Sequence, residues 1–165
     1  MTEESADSPH PDTPGPARVR TLAFQPVLNR IVRGLLRVPL LSRVVGQGLI
    51  TLFVVGRKSG RRYVVPMAYV RHEGALLLGS GFAWGKNLRT GEPLEVRFKG
   101  KRRVADVQVF SDEAAVTDLY GVIVRQNPGF ARINGVGFDD AGEPRQSDLH
   151  AAWAAGARVF LLTLR

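Results

Sequence analysis

The stretch Leu49–Pro66, "LITLFVVGRKSGRRYVVP", decides how the chain folds. Leu49–Val55 is an unbroken apolar and β-branched run of strand length, and Tyr63-Val64-Val65-Pro66 opens a second β-rich run. Gly56 and Gly60 let the backbone reverse sharply between them, so a hairpin is expected. The connecting turn crowds together Arg57, Lys58, Arg61 and Arg62, which repel one another. Such a turn is either a solvated surface loop or the seat of an anion. In the second case backbone N–H groups, the Ser59 hydroxyl and two cations would surround a phosphate or carboxylate.

The β pattern continues downstream. "YVVPMAYVR" and "ALLLGS" read as strands joined by a turn at "HEG", and "LEVRFKGKRRVADVQVF" predicts a hairpin turning at Lys99-Gly100. Ser111 is the expected N-cap of a helix with Asp112 and Glu113 in its first turn, running to about Gln126. Asn127-Pro128-Gly129 stops it. "FARINGVGFDDAGEPRQ" reads as loop, "SDLHAAWAA" as a short helix, and "ARVFLLTLR" as a closing strand. About six strands in antiparallel hairpin order, with helices before and after, predict a mainly β domain with flanking helices (α+β), built as a small barrel or half-closed sheet.

Residues 1–20 are acidic and Pro-rich, and are expected to be a disordered tail. Residues 21–165 are expected to form a single domain. Within it, residues 25–37, "QPVLNRIVRGLLR", predict an amphipathic helix. Phe24, Val27, Leu28, Ile31, Val32 and Leu35 share one side, and Arg30, Arg33 and Arg37 the other. This helix either packs on the domain with a solvated basic face or touches an anionic membrane.

Bulk composition narrows the function. The chain carries no cysteine, which removes disulfides, thiolate nucleophiles and Cys-held metals and suits a reducing cytoplasm. Its three histidines are scattered without metal-ligand spacing, so no metal site is expected. Net charge is +8 despite the acidic tail, which points to an anionic partner: nucleic acid, anionic lipid, or a phosphorylated or carboxylated small molecule. The start of the chain is unlike a secretory leader. The longest uncharged stretch, Val44–Gly56, has 13 residues and is too short to span a bilayer. A cytoplasmic protein is therefore expected, peripheral on the inner face of the plasma membrane if the basic helix touches lipid.

Familiar catalytic motifs are missing. There is no Walker A sequence, no G-x-G-x-x-G, no G-x-S-x-G and no evident carboxylate pair. A chain without a reactive side-chain set borrows chemistry from a cofactor and supplies binding, orientation and electrostatics. Besides the basic turn, two segments could serve. In "GSGFAWGKNLRTG", Gly79–Gly91, small residues at a strand end let a flat ring approach the backbone, or else Trp84 simply fills the core. In "RFKGKRR", Arg97–Arg103, the cations extend a positive surface or decorate a solvated hairpin tip.

Taken together, "GRKSG" after an apolar strand, "VVP" in the next, and "WGKNLR" before a "VRFKGKRR" hairpin resemble the deazaflavin (coenzyme F420)-dependent nitroreductase family. The similarity covers about Leu49 to Phe110. It implies an antiparallel, FMN-binding-like split β-barrel. It also implies hydride transfer from reduced coenzyme F420 (8-hydroxy-5-deazaflavin) to a quinone, nitroaromatic or activated enone. By that resemblance Arg57, Lys58, Ser59 and Gly60 meet the cofactor phosphate. Pro66 lies beside its ring, and Ser80, Ala83, Trp84 and Asn87 line the ring and ribityl region. Ser80 or Tyr63 would donate a hydrogen bond to the acceptor. Tyr63 stands where relatives often carry a cation, and Gly85-Lys86 departs from their pattern. Two other readings stand beside this one: an FMN-dependent split-barrel oxidoreductase, and a non-enzymatic basic module on membrane or nucleic acid, the latter disfavoured by weak aromatic interleaving. Either a monomer or a homodimer fits the sequence.

Overall fold

The computed structural model of the protein describes residues 48–165. The expected tail at 1–20 and the amphipathic helix at 25–37 lie outside the described residues. Seven strands form one antiparallel sheet: β1 (Leu49–Val55), β2 (Arg62–Ala68), β3 (Val70–His72), β4 (Ala75–Ser80), β5 (Pro93–Phe98), β6 (Lys101–Phe110) and β7 (Arg158–Leu164). A 3-10 helix, Ala83–Asn87, lies between β4 and β5. Helices α1 (Glu113–Gln126), α2 (Pro128–Ile133) and α3 (Gln146–Ala154) lie between β6 and β7.

Strand order explains the shape. The sheet runs β2-β1-β5-β6-β7-β4-β3, so β2 and β3 are its two edges. Only Tyr69 separates them along the chain. One extended segment therefore pairs with β1 at its beginning and with β4 at its end. Val70 pairs with Leu77, but Met67 and Ala68 have already turned to Ile50 and Leu49 instead of following β4 toward Ser80. The sheet must curl until its edges converge at Tyr69, and they diverge from there. The result is an antiparallel barrel closed at one end and split at the other, as the sequence pattern led one to expect. The single strand read in "YVVPMAYVR" is thus two strands serving opposite edges.

Two turns follow their residue types. Glu73-Gly74 and Lys99-Gly100 each have positive φ at both positions (48° and 81°, 47° and 78°), the backbone of a two-residue hairpin whose twist matches its strands. Pro66 sits on edge strand β2, where its missing N–H costs no interior ladder bond.

Alternation along the strands creates two cores. Ile50, Leu52, Leu76, Leu78, Val96, Val107, Phe160 and Leu162 fill the barrel. The outward residues of β3, β4 and β7, among them Val70, Leu77 and Val159, pack under Val116, Tyr120, Ile123, Val124 and Leu149 of the helices. Being covered on both sides, β4 is buried at every position, whereas β1 alternates and leaves Leu49 and Val55 exposed. Gly79 is the tightest point of the second core. A Cβ there would lie 2.8 Å from the Tyr120 ring and 3.0 Å from that of Phe130.

The helices correct two readings. The N-cap of α1 is Asp112, whose carboxylate accepts the Ala115 N–H at 2.9 Å. Ser111 instead offers its carbonyl to the Trp153 indole. Asn127-Pro128-Gly129 ends α1 but also begins α2, within the segment read as loop. The buried Asn127 side chain caps it by accepting the Phe130 N–H at 2.9 Å, and Pro128 takes the first turn, where its ring is tolerated.

Gly79→Ala should lower stability by about 1–3 kcal/mol through overpacking, while Gly81→Ala, which meets no atom within 4 Å, should be near neutral; urea denaturation of the two variants measures both. Burial pushes the Tyr120 phenol up to about 12. With an unfolded value near 10, its contribution is complete below about pH 10 and is lost as pH rises toward 12, by about 3 kcal/mol. Tyr120→Phe should abolish that alkaline loss in denaturation curves taken across this range.

Candidate functional site

The split mouth brings two separated segments together. Going along β2 away from Tyr69 leads to the β1–β2 turn, Gly56–Arg61. Going along β4 leads past Ser80 to the 3-10 helix. These ends meet. The Arg57 N–H donates to the Asn87 side-chain carbonyl at 3.1 Å, and the Arg57 guanidinium donates to the Lys86 carbonyl at 3.2 Å. The Asn87 side-chain NH2 in turn donates to the Trp84 carbonyl at 2.9 Å. The basic turn and "WGKN" are therefore joined into one candidate site.

Local geometry builds the turn. The Gly56 N–H donates to the Arg61 carbonyl at 2.8 Å, and the Gly60 N–H donates back to the Gly56 carbonyl at 2.7 Å. Gly60 has a φ of 63°, a conformation that favours glycine. Gly56 packs closely, since a Cβ would lie 2.7 Å from the Ser59 hydroxyl and 2.9 Å from the Tyr63 ring. The Arg61 N–H donates to the Ser59 hydroxyl at 3.3 Å. Of the five N–H groups from Gly56 to Gly60, only those of Lys58 and Ser59 donate to nothing among the described residues. They are neighbours, as an anion-binding backbone concavity requires.

Charge concentrates on this part of the chain. Between Arg57 and Arg103 there are twelve Lys and Arg against three Asp and Glu, whereas from Val104 onward there are five against eight. Lys58, Arg61, Arg62 and Lys86 form no ion pair with a described acid. Their field falls on the mouth.

The other half of the site is apolar and open. Trp84 stacks on Phe160 with ring centroids 5.5 Å apart and a 29° interplanar angle. Gly85 lies flat on the same ring, because a Cβ would come within 2.7 Å of it. This explains a glycine that the sequence left unexplained. Ala83 and Phe82 are exposed, and no atom lies within 4 Å of the Gly81 Cβ position. Ser80, at the end of β4, is only 4% exposed, and its hydroxyl accepts the Phe82 N–H at 3.1 Å.

The remaining expected residues fall as follows. Tyr63 lies opposite Val54, on the barrel-facing side of β2, with its ring beside Gly56 at the turn and 40% exposed. Pro66 lies opposite Thr51, on the outward register of β2. Gly79 does not open space for a ring, since Tyr120 and Phe130 already occupy that space. "RFKGKRR" is not part of the site. Phe98 pairs with Ile50, so the Lys99–Lys101 tip stands at the opposite end of β1 from the basic turn, about 20 Å along the strand. Arg97 and Arg102 instead lie over the Phe53 ring, 5.8 and 4.9 Å from its centroid. Among the described residues no group of His, Cys, Asp or Glu could hold a metal ion, and no helix is long and apolar enough to cross a membrane.

No protein-family profile and no curated protein matches the chain. Among solved structures it is similar to an F420-H2 dependent reductase (FDR-A), at 17% identity and a TM-score of 0.43 over 70% of this chain and 93% of that one. A conserved hypothetical protein from Mycobacterium tuberculosis aligns at 13% identity and a TM-score of 0.45, over 74% and 76% of the two chains. A pyridoxamine 5'-phosphate oxidase-related, FMN-binding protein from Nostoc punctiforme aligns at 12% identity and a TM-score of 0.45, over 88% and 83%.

Gly85→Ala should force Trp84 and the 3-10 helix off Phe160, at a cost of about 1–3 kcal/mol. Urea denaturation followed by circular dichroism measures the loss.

Proposed function

We propose that the protein is an oxidoreductase that holds an anionic deazaflavin, coenzyme F420, across the split mouth. The observation that carries this reading is the hydrogen-bonded union of the basic turn with the Trp84–Asn87 segment. It sets two unpaired backbone donors and unpaired cations beside an open, aromatic-backed surface. A flat ring with a phosphate and carboxylate tail matches both parts. The donor set fits the tail: Lys58 and Ser59 offer successive N–H groups, Lys58 its ammonium and Ser59 its hydroxyl proton. Gly60 supplies the bend, and Arg61 and Arg62 supply a field without a fixed partner. Ala83, Gly81 and Trp84 border the ring region.

A reduced deazaflavin held by these residues would supply hydride chemistry toward an acceptor such as a quinone, nitroaromatic or activated enone. The chain's part is to fix donor and acceptor in a near-attack pose and to keep the tail from dissociating. In this reading Ser80, whose hydroxyl proton is not consumed by its bond from Phe82, and Tyr63, at the lip of the mouth, are the groups able to donate a hydrogen bond toward a reduced acceptor.

Titration of the purified protein with coenzyme F420 tests the reading. Binding should be detected below roughly 100 μM, and menadione should oxidise the reduced cofactor in the protein's presence. Lys58→Ala should weaken binding about tenfold or more, the loss expected for one charge-assisted hydrogen bond. Absence of binding and of turnover sinks the proposal. Purification with a bound flavin absorption band would replace the deazaflavin by FMN.

A further inference from the structure

Arg57 and Lys58 look equivalent in the sequence, and the structure makes them different. Arg57 has its backbone N–H bonded to the Asn87 side chain and one of its five guanidinium N–H donors bonded to the Lys86 carbonyl. Lys58 has both its N–H and its ammonium free of described partners. Asn87 is the pivot. It accepts from the turn with its carbonyl and donates to the Trp84 carbonyl with its NH2, so its two ends are bonded to different halves of the site.

We infer that Asn87 and Arg57 are positioning residues: they join the anion-binding turn, with the free N–H groups of Lys58 and Ser59, to the aromatic segment. This rests on the deazaflavin reading for the identity of the ligand, though not for the existence of the joint. The argument is one of free donors and stiffness. A turn of this length with two glycines has many conformations, and Gly60 alone removes few of them. The internal bonds Gly56–Arg61 and Gly60–Gly56 close the turn on itself but do not say where it points. The strands β1 and β2 carry the turn to the mouth, and among the described residues its hydrogen bonds to the Trp84–Asn87 segment both come from Arg57. A ligand that spans both halves gains from having their separation fixed before it binds, because the ordering entropy is already spent. A ligand that touches only the aromatic half gains nothing from it.

That difference gives the test. The full-length protein and its Asn87→Ala, Arg57→Gln and Lys58→Gln variants are titrated with two fluorescent probes: coenzyme F420, and the deazaflavin riboside that lacks the phosphate and glutamate tail. Asn87→Ala should lose about tenfold in affinity for the complete cofactor, the worth of a hydrogen bond or two, and less than about twofold for the riboside. Arg57→Gln keeps a side-chain donor without the charge. It should retain most of the affinity and the wild-type salt dependence, whereas Lys58→Gln should lose both affinity and salt dependence. A readout without cofactor accompanies these. Amide exchange followed by NMR should show the Arg57 N–H protected in the wild type and exchanging at least about tenfold faster in Asn87→Ala. The Lys58 and Ser59 amides should exchange fast in both.

Equal loss for both probes in Asn87→Ala, an Arg57→Gln defect as large and as salt-sensitive as that of Lys58→Gln, or an Arg57 amide indifferent to Asn87 overturns the inference. If the wild type binds neither deazaflavin, the functional proposal fails, and the Arg57 exchange comparison still decides whether the joint exists.

Discussion

One residue closes the barrel. Tyr69 is all that separates the strand at one edge of the sheet from the strand at the other, so the edges must meet there and nowhere else. Its own place is secured by contacts. It is buried, its ring lies 5.5 Å from that of Phe98, and Gly48 leaves room for its hydroxyl, which a Cβ would approach to 2.9 Å. The geometry of the candidate site follows from this constraint. The strands that converge at Tyr69 diverge beyond it. Loops that close strands at the divergent end are thereby brought face to face, and these loops are the basic turn and the 3-10 helix.

The two cores divide the labour. The barrel interior holds Phe160, on which Trp84 and Gly85 rest, so the aromatic wall of the mouth is anchored to the most buried part of the protein. The helical core supports β4 from behind, with Tyr120 and Phe130 filling the space beside Gly79. Ser80 is thus held rigidly at the strand end, while the residues immediately after it are exposed. Rigidity behind and openness in front is the arrangement a ligand site needs, and here it arises from a glycine on one side of the strand and a phenylalanine on the other.

Much of the architecture was legible because it depends on short-range physics. Positive-φ pairs at Glu73-Gly74 and Lys99-Gly100, apolar runs of strand length, and an acidic residue ahead of a helix each carry their cause within a few positions. The errors share one origin. Asn127-Pro128-Gly129 reads locally as a stop, and only the packing of Phe130 against Tyr120 shows that the chain coils again at once. "YVVPMAYVR" reads as one strand because nothing in its alternation marks the change of partner at Tyr69. Ser111 and Asp112 are both good caps, and the choice went to the residue whose neighbour's carbonyl was wanted by Trp153.

The candidate site divides in the same way. Sequence alone determined which residue types were at hand: a turn of four cations with two glycines, a small-residue strand end, an aromatic beside an amide, and no thiol or evident metal cluster. Only the tertiary structure decided which of them act together. It joined Arg57 to Asn87, thirty positions apart, and sent the equally basic Lys99–Lys101 tip to the far end of β1. It also separated Arg57, which bonds to the 3-10 helix segment, from Lys58, which bonds to no described residue. The physical reason is that charge and ring are properties of a residue, whereas direction and unoccupied hydrogen-bonding capacity are set by the neighbours that folding brings to it.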